Sequence, residues 1–184
     1  MGLVEGKVAI VTGSGRGIGR ADAVLLAKEG ASVVVNDLQE DVAMEVVAAI
    51  KKNGGKATAC VGSVTAPDFP EKIVKTAVNS YGKLDIIVNN AGYTWDAVVQ
   101  NITDEMWEAM LAVHVTAPFR IIRAATPFMR EAAKKEIAEG KKVMRKIINI
   151  SSMSGVTVNA GQANYSAAKM AVLGLTKTVA REWG

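Results

Sequence analysis

Cysteine and histidine are nearly absent from this sequence of 184 residues, which contains one of each, Cys60 and His114. A single cysteine excludes an internal disulfide framework and any zinc site built from cysteines. One histidine in addition does not supply the cluster of histidine and cysteine ligands that a metal ion usually requires. The sequence therefore predicts neither a metal centre nor a disulfide-stabilised fold.

Long apolar runs are also missing. None reaches the roughly 18 residues that a membrane-spanning helix requires, and the first residues lack the pattern of a signal peptide. Hydrophobic residues make up 49% of the chain and charged residues 22%, a balance typical of a folded globular protein. We therefore predict one cytoplasmic domain over residues 1–184, without a membrane partner.

Positive charge is concentrated in one segment. The net charge is +4, and residues 130–146 alone carry seven basic residues and three glutamates, so the rest of the chain is balanced. A solvated helix end and loop explains this segment, and a docking patch for an acidic carrier protein or a phosphorylated substrate is the alternative. Aromatic residues are not interleaved with these charges, so we expect no nucleic-acid partner.

Short runs of apolar and β-branched residues alternate with longer stretches of helical periodicity. The apolar runs are nearly continuous, as strands covered on both faces require. This alternation predicts an α/β fold, a doubly wound parallel sheet of the Rossmann type with five strands. Pro118 and Pro127 predict at least one kink or break in the fourth helical stretch. The predicted strands are residues 7–12, 32–37, 57–61, 84–89 and 146–151, and the predicted helices are residues 17–29, 39–53, 67–81, 104–138 and 163–183.

A glycine-rich loop follows the first predicted strand and opens the first helix. Glycines let the backbone turn sharply and approach a pyrophosphate, while the N–H groups and the positive end of the helix face the anion. In this strand–turn–helix context the loop indicates a dinucleotide site rather than a flexible turn. The candidate cofactor-binding residues of the loop are Gly13, Ser14, Gly15, Arg16, Gly17, Ile18 and Gly19.

Asp37 closes the second predicted strand, where a carboxylate can accept hydrogen bonds from the hydroxyls of the adenosine ribose. Its charge would repel a 2′-phosphate, which favours NAD over NADP. Arg16 acts in the other direction, because a cation in the loop could attract that phosphate. Asp37 also fits a capping box with Glu40, and this second role is compatible with the first. We predict NAD as the cofactor, with NADP less favoured.

Tyr165 and Lys169 stand four residues apart on a predicted helix, so their side chains project from one face. An ammonium close to a phenol stabilises the phenolate, which suits acid–base chemistry. Ser152 lies just beyond a buried strand, and its hydroxyl could hold a substrate oxygen. A simple turn at the end of the strand is the alternative interpretation of Ser152.

In combination these motifs resemble the classical short-chain dehydrogenase/reductase family, from the first strand to the last residue. The resemblance rests on the glycine loop of residues 12–19, the Asn-Asn-Ala-Gly run of residues 89–92, Ser152, and the Tyr-Ser-Ala-Ala-Lys run of residues 165–169. It implies an oxidoreductase that transfers a hydride between NAD(P) and a secondary alcohol or ketone, most similar in type to a 3-oxoacyl-[acyl-carrier-protein] reductase. The implied substrate is an alcohol, a ketone or an acyl thioester. The resemblance also implies a homo-oligomer, a dimer or tetramer, formed through the helical segments of residues 104–138 and 163–183.

The resemblance assigns roles to individual residues. Tyr165 would be the general acid/base, Ser152 would position the substrate oxygen, and Lys169 would bind the nicotinamide ribose and assist the tyrosine. The remaining residues assigned to the cofactor cleft are Asn89, Ala91, Gly92 and Ile150, of which Ile150 would lie beneath the nicotinamide.

The sequence departs from the family pattern in three respects. His114 stands where the family usually has an asparagine that holds a water in a proton relay. A neutral imidazole also offers one donor and one acceptor, so the relay could be retained. A packing role for His114 is the alternative. Ser63 replaces an aspartate that is commonly found near the adenine. Family domains run to about 250 residues, so a domain ending at Gly184 would lack the last two strands and most of the substrate-binding segment. A catalytically inactive nucleotide-binding or partner-binding fragment is therefore the alternative function.

Overall fold

A five-stranded parallel sheet forms the centre of the structure, a computed structural model that describes residues 2–184. The order of the strands reverses between the first and the fourth, which are neighbours. At such a point a parallel α/β sheet opens a crevice at the carboxyl ends of its strands. The α/β class and the five strands predicted from the sequence are confirmed. The strands are β1 (Val8–Val11), β2 (Ser32–Val35), β3 (Lys56–Ala59), β4 (Ile86–Asn89) and β5 (Lys146–Asn149), in the order β3-β2-β1-β4-β5.

Helices cover both faces of this sheet. Residues of the first two helices share one hydrophobic cluster with the sheet, and residues of the third and fifth helices share the other. The sheet therefore lies between two helical layers, as a doubly wound fold requires. The α-helices are α1 (Gly17–Lys28), α2 (Glu40–Lys52), α3 (Phe69–Tyr81), α4 (Asp104–Leu111), α5 (Ala117–Thr126), α6 (Ala132–Ala138) and α7 (Ala163–Trp183).

The two helical layers explain why the central strand β1 is apolar at every position. All four residues of β1 are buried. Val8 and Ile10 pack into the cluster that contains α3, whereas Ala9 and Val11 pack into the cluster that contains α1. Successive side chains of a strand point to opposite faces, so a strand between two layers needs apolar residues in both sets.

The helical stretch predicted over residues 104–138 is broken at two places. π-helical turns at Ala112–Thr116 and at Pro127–Glu131 separate α4, α5 and α6. Pro118 has no N–H to donate to the carbonyl of His114 four residues earlier, so the regular hydrogen-bonding ladder is interrupted there. The break expected from the prolines is present, and its first turn carries His114.

Two kinds of feature are absent from residues 2–184. No helix there is both long enough and apolar enough to cross a membrane. No group of three histidine, cysteine, aspartate or glutamate side chains within that range could hold a metal ion. Cys60 is a free cysteine buried in the core.

Candidate active site

One cleft of about 980 Å³ contains most of the residues that the sequence indicated. It lies at the carboxyl ends of the strands, beside the segments that follow the neighbouring strands β1 and β4. The glycine loop and the end of β2 form one part of the cleft, and the segment after β5 and the start of α7 form the other. The sequence-predicted residues that line it are Gly13, Arg16, Gly17, Ile18, Asp37, Ala91, Gly92, His114, Ile150, Ser152, Tyr165 and Lys169.

The glycine loop presents an uncapped helix end to this cleft. Arg16 is the N-cap of α1, its side chain makes no capping hydrogen bond, and the first turn of α1 contains no acidic residue. The first N–H groups of a helix have no partner within the helix and attract an anion. Gly13 has a φ of +60°, and a side chain there would press against the backbone of Ala91. The loop therefore fits the pyrophosphate of a dinucleotide.

Ser14 supports the loop from behind rather than lining the cleft. Its hydroxyl donates to the carbonyl of Val11 at 2.8 Å and accepts from the N–H of Asn36 at 3.0 Å. Gly15 and Gly19 also lie behind the surface of the loop. A side chain at Gly15 would collide with the carboxylate of Asp37, and one at Gly19 would collide with the amide of Asn90. These three residues set the shape of the loop.

Asn36 is a buried residue of this site that our sequence reasoning missed. Its side-chain oxygen accepts from the N–H of Gly13 at 3.2 Å, and its amide donates to the carbonyls of Cys60 and Gly62, both at 3.0 Å. One side chain thus joins the loops that follow β1, β2 and β3. A polar residue at the end of the apolar run of β2 was the available signal.

Asp37 is anchored by two backbone donors. Oδ2 accepts from the N–H of Gly15 at 3.1 Å, and Oδ1 accepts from the N–H of Gln39 at 3.2 Å. Each carboxylate oxygen can accept two hydrogen bonds, so each keeps one position for a ribose hydroxyl. The residue lies in the cleft wall, where it can accept from a ribose, but the capping box with Glu40 is not formed, because Gln39 and not Asp37 is the N-cap of α2.

Helix α7 places Tyr165 and Lys169 at the other end of the cleft. Lys169 is buried, and its ammonium donates to the carbonyl of Ile150 at 2.7 Å. Its Nζ lies 5.6 Å from the ring centre of Tyr165. Burial lowers the pKa of Lys169. The positive charge therefore lies close to the phenol, as the spacing of four residues predicts.

Ser152 forms the turn at the end of the strand, which is one of the two interpretations of its sequence position, and its hydroxyl remains available for the other. Its Oγ accepts from the N–H of Ser154 at 3.1 Å and so caps the short turn Met153–Gly155. That bond uses an acceptor position of the hydroxyl and leaves its O–H free to donate to a substrate oxygen. Ser152 also lines the same cleft as Tyr165.

Asn164 is a second buried residue that the sequence did not reveal. Its amide donates to the carbonyls of Trp95 and Met106 at 3.0 and 3.3 Å, and its oxygen accepts from the N–H of Tyr165 at 2.8 Å. It ties the first turn of α7 to the segment after β4 and to α4. The same side chain also satisfies the backbone N–H of Tyr165 at the start of α7.

Asn89 lies behind the cleft, although the family resemblance assigned it to the lining. Its amide donates to Oδ1 of Asn149 at 2.7 Å, and the Nδ2 group of Asn149 donates to the hydroxyl of Thr176 at 2.9 Å. Asn90 lines the cleft and donates to the carbonyls of Thr12 and Gly13, both at 3.0 Å. Neighbouring residues at the end of a strand point to opposite sides, which separates the two asparagines.

His114 is buried under the cleft in a fixed orientation. Its Nε2 lies 2.8 Å from the carbonyl oxygen of Tyr93, so Nε2 carries the proton and donates it. Burial, and then the charge of Lys169, lower the pKa of His114 to about 4, although the bond to Tyr93 acts in the opposite sense. Nδ1 is therefore an unprotonated acceptor, and it has no partner among residues 2–184. The ring meets the Tyr165 ring edge to face, with 5.1 Å between the ring centres.

The low pKa of His114 predicts a measurable dependence of stability on pH. The folded protein binds fewer protons than the unfolded chain between the folded value of about 4 and the ordinary value of 6.5. The free energy of unfolding should therefore fall as the pH drops from 6.5 to 4, by up to about 1.4 kcal/mol per pH unit. His114→Asn should remove this contribution, so denaturant unfolding of both proteins at pH 7 and pH 4.5 provides the check. Equal pH dependence in the two proteins would contradict the buried neutral imidazole.

The glutamates of the basic segment are paired within that segment. Arg145 and Glu136 form a two-pronged salt bridge with distances of 3.0 and 2.9 Å, and Lys141 pairs with Glu139 at 2.7 Å. Glu131 pairs with Arg130 at 2.9 Å. The Arg145 pair is partly buried, whereas the pairs of Glu131 and Glu139 lie at an exposed helix end, as the solvated segment that the sequence indicated as one interpretation requires.

Comparison with known proteins gives the same picture over nearly the whole chain. The sequence pattern described as short chain dehydrogenase matches residues 7–184. The chain is 42% identical to the hydroxyacyl-CoA dehydrogenase ChsB1 of Mycobacterium tuberculosis over 98% of this chain and 58% of that protein. It is 40% identical to a 3-oxoacyl-[acyl-carrier-protein] reductase of Synechocystis over 99% of this chain and 70% of that protein.

A solved structure has the same fold. The crystal structure of a short chain dehydrogenase from Mycobacterium avium superimposes with a TM-score of 0.90 at 41% sequence identity. The match covers 100% of this chain and 67% of that one. The chain thus spans about three fifths of the length of ChsB1 and two thirds of the solved chain.

Proposed function

The chain belongs to the short-chain dehydrogenase family, and we propose that it interconverts a 3-hydroxyacyl and a 3-oxoacyl thioester with NAD as its cofactor. One observation carries the proposal. A single cleft brings together the glycine loop, Asp37, and the set of Ser152, Tyr165 and Lys169. The thioester class is supported by the two relatives above, one named for hydroxyacyl-CoA and the other for a 3-oxoacyl group on a carrier protein. A cytoplasmic location, predicted from the sequence, is part of the proposal.

The reaction needs one hydride and one proton at the same carbonyl group. A reduced nicotinamide bound near Ile150 would supply the hydride to the carbonyl carbon. Tyr165 donates its phenolic proton to the carbonyl oxygen, and in the oxidative direction it takes that proton back. The O–H of Ser152 donates to the same oxygen and stabilises the negative charge that develops there. The ammonium of Lys169 stabilises the phenolate that Tyr165 becomes.

His114 is proposed to assist this proton transfer as a positioning residue. Its ring meets that of Tyr165 and lies within the electrostatic influence of Lys169, and its Nδ1 is an acceptor without a partner among residues 2–184. A water held there could connect the lysine with solvent, in the role that the family gives to an asparagine. His114→Asn should therefore retain turnover, and His114→Leu should lower it without unfolding the protein. Equal turnover in the two variants would leave only a packing role.

The choice of NAD rests on Asp37. Its carboxylate stands at the end of β2 with one acceptor position left on each oxygen, which suits the ribose hydroxyls of NAD and repels a 2′-phosphate. Titration of the protein with NADH and with NADPH, followed by nicotinamide fluorescence, should give tighter binding of NADH. Tighter binding of NADPH would contradict this part of the proposal.

The activity itself is tested with the full-length protein. NADH should be oxidised in the presence of a short 3-oxoacyl-CoA, and a ketone of the same length without the thioester should be a poorer substrate. Oxidation of NADH with the simple ketone but not with the 3-oxoacyl-CoA would contradict the thioester class. Binding of NADH without turnover of any substrate would contradict the enzyme and support a nucleotide-binding or partner-binding protein instead.

Self-association through α7 is also part of the proposal. The outward face of this helix carries Met170, which is 49% exposed, together with the small residues Ala171 and Gly174. Small residues let two helices approach closely, and Phe119 on α5 adds a further exposed apolar side chain.

A charge on this face should break the assembly. Met170→Arg should shift the protein to a smaller species in sedimentation, because a buried arginine without a partner opposes association. Met44→Arg on α2 is a matched control, since Met44 is exposed to the same extent, 49%. The same change in size for both variants, or for neither, would exclude an interface on α7.

A further inference from the structure

Two charged side chains line the adenosine end of the cleft, and they favour different cofactors. Asp37 repels a 2′-phosphate, whereas the guanidinium of Arg16 attracts one. Among the residues that line the cleft, Arg16 and Lys169 are the cations, and Lys169 is engaged with the carbonyl of Ile150 at the opposite end. The position of the Arg16 side chain therefore affects how strongly the site discriminates between NAD and NADP.

Gln39 contacts both of these charged residues. Its backbone N–H donates to Oδ1 of Asp37 at 3.2 Å, and its side-chain Oε1 accepts from Nη2 of Arg16 at 2.9 Å. Gln39 is the N-cap of α2, but its side chain makes no capping bond, so the amide oxygen is directed to Arg16 instead.

The neighbouring cationic side chains of Arg20 and Lys72 are bound to other partners. Arg20 pairs with Glu45 at 3.0 Å, and Lys72 donates to the carbonyl of Val61 at 2.7 Å. Arg16 is thus the cation on which recognition of a 2′-phosphate would depend.

We propose that Gln39 is a residue that determines cofactor specificity: it holds the Arg16 guanidinium against the start of α2 and so withholds it from the 2′-phosphate of NADP. The inference rests on the proposed function, in that the cleft binds a nicotinamide dinucleotide. If Arg16 is to bind the 2′-phosphate of NADP, its guanidinium must either break its hydrogen bond to Gln39 or bind Gln39 and the phosphate at the same time. NAD has no 2′-phosphate and leaves that bond intact.

The proposal predicts opposite effects for two substitutions. Gln39→Leu removes the acceptor at similar size, so the ratio of NADPH affinity to NADH affinity should rise roughly three- to tenfold, the range for the net contribution of one ordinary hydrogen bond, because this bond is exposed to solvent. Gln39→Glu holds Arg16 by charge as well, so the same ratio should fall below that of the original protein.

A double-mutant cycle shows whether Gln39 acts through Arg16. In an Arg16→Ala background, Gln39→Leu should leave the affinity ratio unchanged, because the side chain that it releases is no longer there. Asn53→Leu is the matched control: it removes an amide at the other end of α2, where Asn53 donates to the carbonyl of Ala49 at 2.9 Å. This control should leave the ratio unaltered.

The readout is the dissociation constant of each reduced cofactor from fluorescence titration, so no turnover is needed. If Gln39→Leu raises the ratio of NADPH affinity to NADH affinity, and this rise disappears in the Arg16→Ala background, the proposal is supported. An unchanged or lowered ratio for Gln39→Leu, or a rise that persists without Arg16, overturns it. The preference of the unmodified protein tests the proposed NAD specificity separately, since NADPH could bind more tightly to that protein while Gln39→Leu still raised the ratio.

Discussion

Replacing Tyr165 by phenylalanine should lower the turnover of the full-length protein by at least about 100-fold, the lower end of what a general acid–base group contributes. The substitution removes one hydroxyl and keeps the ring that packs edge to face against His114 and beside Lys169. NADH affinity should therefore change by less than about twofold, since the groups proposed to hold the adenosine half are untouched. Steady-state rates and fluorescence titration of the same preparations measure the two quantities.

Tyr81→Phe provides the control for this substitution. Tyr81 ends α3, packs against the core on the sheet face that holds α5, and does not line the cleft. Its replacement should leave turnover unchanged. A Tyr165→Phe protein that keeps more than about a tenth of the original rate would exclude Tyr165 as the acid/base, because such a loss is smaller than acid–base catalysis provides.

The fold could be read from the sequence because its main signals are local. The run from Val8 to Val11 is buried on both faces, and strands in that position need apolar residues throughout. The conformation of residues 104–138 could be predicted only in part from the sequence. Pro118 shows that a backbone donor is missing, but it does not show that the chain closes the gap with a π-helical turn at Ala112–Thr116. That turn depends on how α4 and α5 pack, which is not a local property.

Site residues could be predicted where the spacing within one short sequence motif determines how the side chains are arranged. Tyr165 and Lys169 share a helix face at a spacing of four, and the structure places both in one cleft wall. Asn36 and Asn164 were not predicted, because each binds backbone carbonyls that are far away in the chain, in a loop for Asn36 and in α4 for Asn164. Asn89 was assigned to the cleft because the sequence of residues 89–92 does not reveal which of the side chains point into the cleft and which point away from it.

Asn36 should produce the largest effect on stability. Asn36→Leu keeps the volume of the side chain but leaves three backbone groups without their protein partner: the buried carbonyl of Cys60, and the partly buried N–H of Gly13 and carbonyl of Gly62. Each unsatisfied group costs about 1–3 kcal/mol, so the free energy of unfolding should fall by about 3–5 kcal/mol. The Tm should fall by roughly 10 °C for a chain of this length.

The same change should weaken cofactor binding in the protein that remains folded. Gly13 loses the bond that fixes the turn of the glycine loop, and the loops after β2 and β3 lose their common anchor, so NADH affinity should fall by roughly tenfold or more. Asn53→Leu is the control, because Asn53 is exposed and its single bond to Ala49 can be replaced by water; its effect should stay within about 0.5 kcal/mol. Thermal unfolding and NADH titration well below the Tm measure both effects. If the two leucine variants unfold at the same temperature, the hydrogen bonds of Asn36 do not hold these loops together.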